Sequence, residues 1–169
     1  HMSAWIEPNP SQADRNRLGQ HLWYFYNYQI HELQMAHADP HPGNFIITKN
    51  GKLAVLDFGC VKEMPSDFYA DYFKFMDIEL TKKPIEFNAL LLKMEFLLPG
   101  DNDAEREYFT KVFGDMVSLL CQPFSMDEFD FSDKEYFGAI YALGDQVAAD
   151  KQFRKSNAAR GSKHGIYIN

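Results

Sequence analysis

At 169 residues the chain has the length of one domain, and with 46% hydrophobic residues it can bury a sizeable core. Fifteen Phe and nine Tyr exclude a disordered composition, and no apolar run approaches the roughly 18 residues that a membrane-spanning helix needs. The net charge of −7 is uneven: Lys151, Arg154, Lys155, Arg160 and Lys163 lie in 151–169 with no acid among them, on an otherwise acidic body that carries no recognisable nucleic-acid motif.

Segment 151–169 therefore reads as a weakly ordered, solvated basic end, with contact to a membrane surface as the second reading. Cys60 and Cys121 are too few for a metal site and offer a single disulfide, so a reduced, intracellular protein is expected, with Cys60 buried and inert. His1 and Met2 resemble a cloning remnant, and the natural start is expected upstream.

In chain order, Ser11 with Asp14 has the spacing of a helix cap, and Leu18, Leu22, Phe25, Tyr26, Ile30 and Leu33 recur at helical intervals. They predict a helix over about 11 to 34, with Tyr24, Phe25, Tyr26 and Tyr28 contributing to the core. This helix runs into HADPHPGN at 37–44, a stretch too rich in Pro and Gly for helix or ladder strand, hence a shaped loop. FIIT and LAVL then flank Lys49-Asn50-Gly51-Lys52, and Asn-Gly between apolar runs predicts a tight hairpin. With Asn50 and Gly51 as the two turn residues, Phe45 faces Leu56 and Asn44 faces Asp57. Beyond Pro65, further helices are predicted at about 66–80, 84–97, 103–120 and 132–150, the last opened by Ser132 and Glu135. The fold class is mainly α, a helical bundle with one small β-hairpin; 3–150 forms its body.

The hairpin and loop carry the chemistry. Asn44 and Asp57 together offer oxygen ligands suited to Mg²⁺, which takes one or two protein oxygens and completes its shell with water and phosphates. Asp39, five residues before Asn44, can present a carboxylate beside that metal to orient an attacking hydroxyl. D-x-x-x-x-N followed by Asp57-Phe58-Gly59 is the layout of kinase catalytic and metal-binding loops. A transition-metal site of His37, Asp39 and His41 is the competing reading of the same loop.

HADPHPGN with LAVLDFG resembles the UbiB family of atypical kinases, also called the ABC-one kinases. The resemblance is sharp over 37–59 and compatible in helix order from about 11 to 150. It implies a protein-kinase-like C-terminal lobe in which Asp39 is the catalytic aspartate and also contacts the nucleotide, Asn44 and Asp57 hold the metal, and His37 anchors the loop. It further implies ATP with Mg²⁺ (or Mn²⁺), and a role in ubiquinone or isoprenoid-lipid metabolism that would bring a lipid or membrane partner. Location would be cytoplasmic or peripheral to a membrane, mitochondrial or plastid in a eukaryote. The N-terminal lobe's phosphate-covering loop, lysine and glutamate do not occur in 3–10, nor does the family's Lys-x-Gly-Gln segment or alanine-rich loop. That lobe is expected to be the missing partner, and the fragment alone is expected not to turn over ATP. Small-molecule phosphotransferases of the aminoglycoside-kinase type share a His-x-Asp with an Asn five residues on, although they usually carry Gly where this loop has Ala38. A non-catalytic pseudokinase module is the third reading.

Overall fold

The computed structural model describes residues 2, 9–151, 153 and 160–165. These fall into two compact units that divide after Tyr69.

The first unit begins with helix α1 (Gln12–Asn27), capped by Ser11, whose side chain accepts from the Asp14 N–H at 3.1 Å. Its last turns widen into a single π-turn at Tyr28–Glu32, closed by the Leu33 N–H on the Tyr28 carbonyl, so the helical stretch ends near the predicted point but not in regular α geometry. Tyr24 and Tyr28 do not enter the core: both are exposed and stack on each other. Four strands of three residues follow, β1 (Met35–His37), β2 (Phe45–Ile47), β3 (Leu53–Val55) and β4 (Val61–Glu63). They form two antiparallel ribbons, β1 with β4 and β2 with β3, where one hairpin was expected. The β1–β4 ribbon escaped the sequence reading because three residues are too few to show a period of two.

The β2–β3 register also differs from expectation. Phe45 pairs with Val55 and Ile47 with Leu53, one residue short of the Phe45–Leu56 alignment. The cause is the turn. Gly51 alone has positive φ, +77°, and its N–H returns to the Thr48 carbonyl while the Thr48 N–H bonds the Lys52 carbonyl. That is a three-residue connection ending in a left-handed glycine, which adds one residue to the loop and slides the ladder. Asn44 consequently lies opposite Leu56, whose N–H it accepts at 2.7 Å, and not opposite Asp57. Phe45 is the most buried of the described residues of this unit and meets Phe25 of α1 edge-on.

Helix α2 (Ser66–Tyr72) crosses the boundary between the units, and 3₁₀ turns at Phe73–Met76 and Ile78–Lys82 replace the rest of the predicted 66–80 helix. The second unit then packs α3 (Pro84–Lys93), α4 (Asp103–Leu120) and α5 (Lys134–Ala149). α4 opens with a reciprocal cap between Asn102 and Glu105. α5 is capped by Asp133, not Ser132: the Asp133 carboxylate takes the N–H groups of Glu135 and Tyr136, while the Ser132 hydroxyl bonds Asp130. The helical spacing of Phe87, Leu90, Leu91, Met94, Phe109 and Phe113 does mark the buried face. Phe75 meets Phe87 and Phe96 edge-on within it. Cys121 is buried, its thiol pushed up by burial and directed at the Phe75 carbonyl, whereas Cys60 is exposed, against expectation; both are free thiols. No helix among the described residues is long and apolar enough to cross a membrane.

Two buried carboxylates organise this unit. Asp71 pairs with Lys74 at 2.7 Å and with Lys93, and these partners hold its carboxyl below the usual range. Asp101 is gripped at both oxygens by Arg160, with side chains only 5% exposed on each partner, and also accepts from the Leu98 N–H. Arg160 lies 3.5 Å from the Phe109 ring centre and donates to the Phe96 carbonyl. So Arg160, expected in a solvated end, is a buried anchor. Arg160 and the Leu98 amide depress the Asp101 pKa.

Two outcomes follow for stability. Gly51→Ala combines positive φ with a Cβ 3.0 Å from the Arg17 guanidinium and is expected to cost more than about 1 kcal/mol, read from the urea midpoint. Asp101→Asn strands the Arg160 charge and is expected to cost about 3–5 kcal/mol at pH 7. Because the folded pKa is depressed, the stability from Asp101 is present above about pH 4 and lost as pH falls through the folded value, so the variant should show a shallower acid loss than the wild type in the same titration.

Candidate functional site

The two ribbons bring both functional loops to one place. β1 ends at His37 as the HADPHPGN loop begins, and β2 starts where that loop ends; β3 ends at Val55 and β4 starts at Val61, on either side of Asp57-Phe58-Gly59. The Ala38 N–H bonds the Cys60 carbonyl at 2.8 Å, extending the β1–β4 ribbon into both loops.

Within the first loop, the His41 Nδ1 accepts the Gly43 N–H and Pro42–Asn44 form one 3₁₀ turn. The Asn44 side-chain amide donates to the Asp39 carboxylate at 2.8 Å and to the Asp39 carbonyl at 3.1 Å. Asn44 therefore sets the position of Asp39 and keeps its own Oδ1 available. Asp39 is exposed and Asn44 half-buried.

In the second loop, Asp57 adopts φ +55°, a left-handed conformation that Asp tolerates better than most residues. Its Oδ1 accepts the Gly59 N–H at 3.0 Å, and a Cβ at Gly59 would lie at that same distance from the carboxylate. Its other oxygen projects from an exposed residue. The exposed Asp39 and Asp57 and the Asn44 Oδ1 are hard oxygen donors, a set that fits Mg²⁺.

His37 joins the loops. It is 4% exposed, and its Nε2 lies 2.8 Å from the Asp57 carbonyl. A carbonyl only accepts, so Nε2 carries the proton and donates. The ring is lined by Phe45 and Phe58. The competing transition-metal reading finds no support: among the described residues no group of three His, Cys, Asp or Glu side chains is placed to hold a metal ion.

Sequence reasoning missed Gln29. It is the one buried residue of the helical stretch 12–33, its Oε1 accepts the His37 N–H at 2.9 Å, and its Nε2 is buried without a partner among the described residues. An unpaired buried amide donor costs about 1–3 kcal/mol. The signal was available: Gln29 falls on the same helical stripe as Leu22, Phe25, Tyr26 and Leu33, a polar side chain on an otherwise apolar face.

A mainly α scaffold with an Asp-to-Asn loop tied to Asp-Phe-Gly defines a kinase-like fragment. Residues 6–83 match the model of the ABC1 atypical kinase-like domain, and this match together with the relatives below supports the UbiB/ABC1 family. It is similar to an uncharacterized aarF domain-containing protein kinase, chloroplastic, of Arabidopsis thaliana, 38% identical over 95 residues, which cover 53% of this chain and 13% of that protein. It is also similar to AarF domain-containing protein kinase 1 of Mus musculus, 32% identical over 74 residues, 41% of this chain and 14% of the relative. Protein ACTIVITY OF BC1 COMPLEX KINASE 8, chloroplastic, of Arabidopsis thaliana is 26% identical over 163 residues, 84% of this chain and 21% of the relative. The chain thus spans about a fifth or less of the length of these relatives.

His37→Phe keeps the aromatic packing but removes the Nε2–H donor. It is expected to cost about 1–3 kcal/mol by urea unfolding and to speed limited proteolysis within 56–60, where the Asp57 carbonyl loses its partner.

Proposed function

We propose that this chain is the C-terminal lobe of an atypical kinase or ATPase that binds Mg-ATP. The observation that carries the reading is the direct tie between Asp39 and Asn44, joined through His37 to an Asp57 whose left-handed backbone leaves a carboxylate oxygen exposed. Asn44 Oδ1 and Asp57 would hold the metal, which when bound neutralises charge on the nucleotide phosphates. Asp39, oriented by the Asn44 amide, accepts a proton from an attacking hydroxyl or aligns a water, and also lies against the nucleotide. His37 fixes the distance between the two loops. The glycine-rich cover, lysine and glutamate of a complete site would come from an N-terminal lobe. Exposed Phe58, Leu56 and Val61 beside the site are apolar surface for such a lobe to cover.

The resemblance to the family extends the proposal to ubiquinone or other isoprenoid-lipid metabolism, with work at or near a membrane, and the chloroplastic relatives add a plastid setting to the candidates. The test is Mg²⁺-dependent thermal stabilisation by ATP or ADP, measured on this chain and on an upstream-extended parent. The parent should be stabilised by nucleotide with metal, Asp57→Asn should lose the metal-dependent part, and Asp39→Asn should keep binding while phosphate release or transfer falls at least 100-fold. This chain alone should respond weakly. A folded parent with no metal-dependent shift would move the assignment to a non-catalytic module.

A further inference from the structure

We infer that Gln29 is a positioning residue for the metal-nucleotide site, acting through His37 on Asp57; the inference rests on the function proposed above. Three hydrogen bonds in series carry it. The Gln29 Oε1 takes the His37 N–H at 2.9 Å, the His37 Nε2–H reaches the Asp57 carbonyl at 2.8 Å, and Asp57 in turn holds the Gly59 N–H at 3.0 Å.

Strand geometry explains why an outside acceptor is needed. The Ala38 N–H is directed at β4, where it meets the Cys60 carbonyl. N–H groups alternate along a strand, so the His37 N–H faces the opposite edge, where no strand among the described residues pairs with β1. The π-turn at Tyr28–Glu32 places Gln29 at that edge. The orientation of the amide follows from chemistry: the His37 N–H can meet only the oxygen, which leaves the Gln29 Nε2 as the buried atom without a partner. A side chain selected only to fill this space would be apolar. The Gln29 oxygen has one partner among the described residues, the backbone of the residue that fixes Asp57.

Removing an outer group that orients a metal ligand typically weakens metal binding 10–100-fold. The experiment uses the upstream-extended parent, titrated with Mg²⁺ at fixed ATP and followed by thermal shift, alongside the melting temperature without ligand. Gln29→Met, which keeps length but has no oxygen, is expected to raise the half-maximal Mg²⁺ concentration about 10-fold or more. Gln29→Glu, which keeps an oxygen toward the His37 N–H, should restore it to within about 3-fold of wild type. A merely structural role would lower the unliganded melting temperature of Gln29→Met and leave the Mg²⁺ midpoint unchanged, and that result overturns the inference. Should Gln29→Met not fold, Gln29→Asn, one methylene too short to reach, carries the same expectation and the same refutation. Asp57→Asn is run in parallel: if it retains the full metal-dependent shift, the site reading falls and this inference with it. If Asp57→Asn loses the shift while Gln29→Met keeps the wild-type midpoint, only the role of Gln29 is refuted.

Discussion

The architecture of the first unit depends on one hydrogen bond, from the His37 imidazole to the Asp57 carbonyl. Each ribbon has two strands of three residues, and two-stranded ribbons of that size are marginal by themselves in water. His37 ends one ribbon, and the carbonyl it grips lies just past the end of the other, so this bond ties the two ribbons to each other. A histidine suits the position because its ring packs against Phe45 and Phe58 while its edge supplies a donor. No purely apolar side chain could satisfy the carbonyl, and no short polar one could fill the space between those rings.

That bond also stabilises a backbone that would otherwise relax. Asp57 at φ +55° is the kind of conformation that persists only when surrounding contacts over-determine it. Here they come from both sides, from His37 at the carbonyl and from the Gly59 amide at the carboxylate. The same conformation turns an oxygen of Asp57 outward, so the strained geometry and the chemistry assigned to the residue are one feature. Asn44 serves similarly in the first loop, where its amide ties down both the carboxylate and the carbonyl of Asp39.

Much of this was legible in the sequence, for identifiable reasons. Pro and Gly in HADPHPGN forced a loop, Ser11 marked a helix start, and the 3.6-residue spacing of Phe87, Leu90, Leu91, Phe109 and Phe113 marked the buried face of the second unit. What failed was decided by geometry that spacing does not encode. Asn50-Gly51 indicated a turn but not its length, and one extra loop residue shifted the ladder so that Asn44 met Leu56. β1 and β4 pair across more than twenty residues and are too short to announce themselves. Asp133, not Ser132, caps α5 because either residue could do so locally and only the chain direction before the helix chooses between them. Gln29 interrupts an apolar stripe with a polar group, but its partner, the His37 N–H, lies eight residues on in a strand that spacing does not reveal.

The Arg160–Asp101 pair has a further consequence, for the order in which the chain becomes whole. The partners lie 59 residues apart, and during synthesis the acid emerges long before its cation. Until Arg160 leaves the ribosome, closing the second unit around Asp101 would bury a carboxylate without the guanidinium that grips both its oxygens, leaving only the weaker influence of Arg106, which is unfavourable. The pair thus couples closure of this unit to completion: a nascent or truncated chain ending before Arg160 is expected to close it less firmly than a chain that includes that residue.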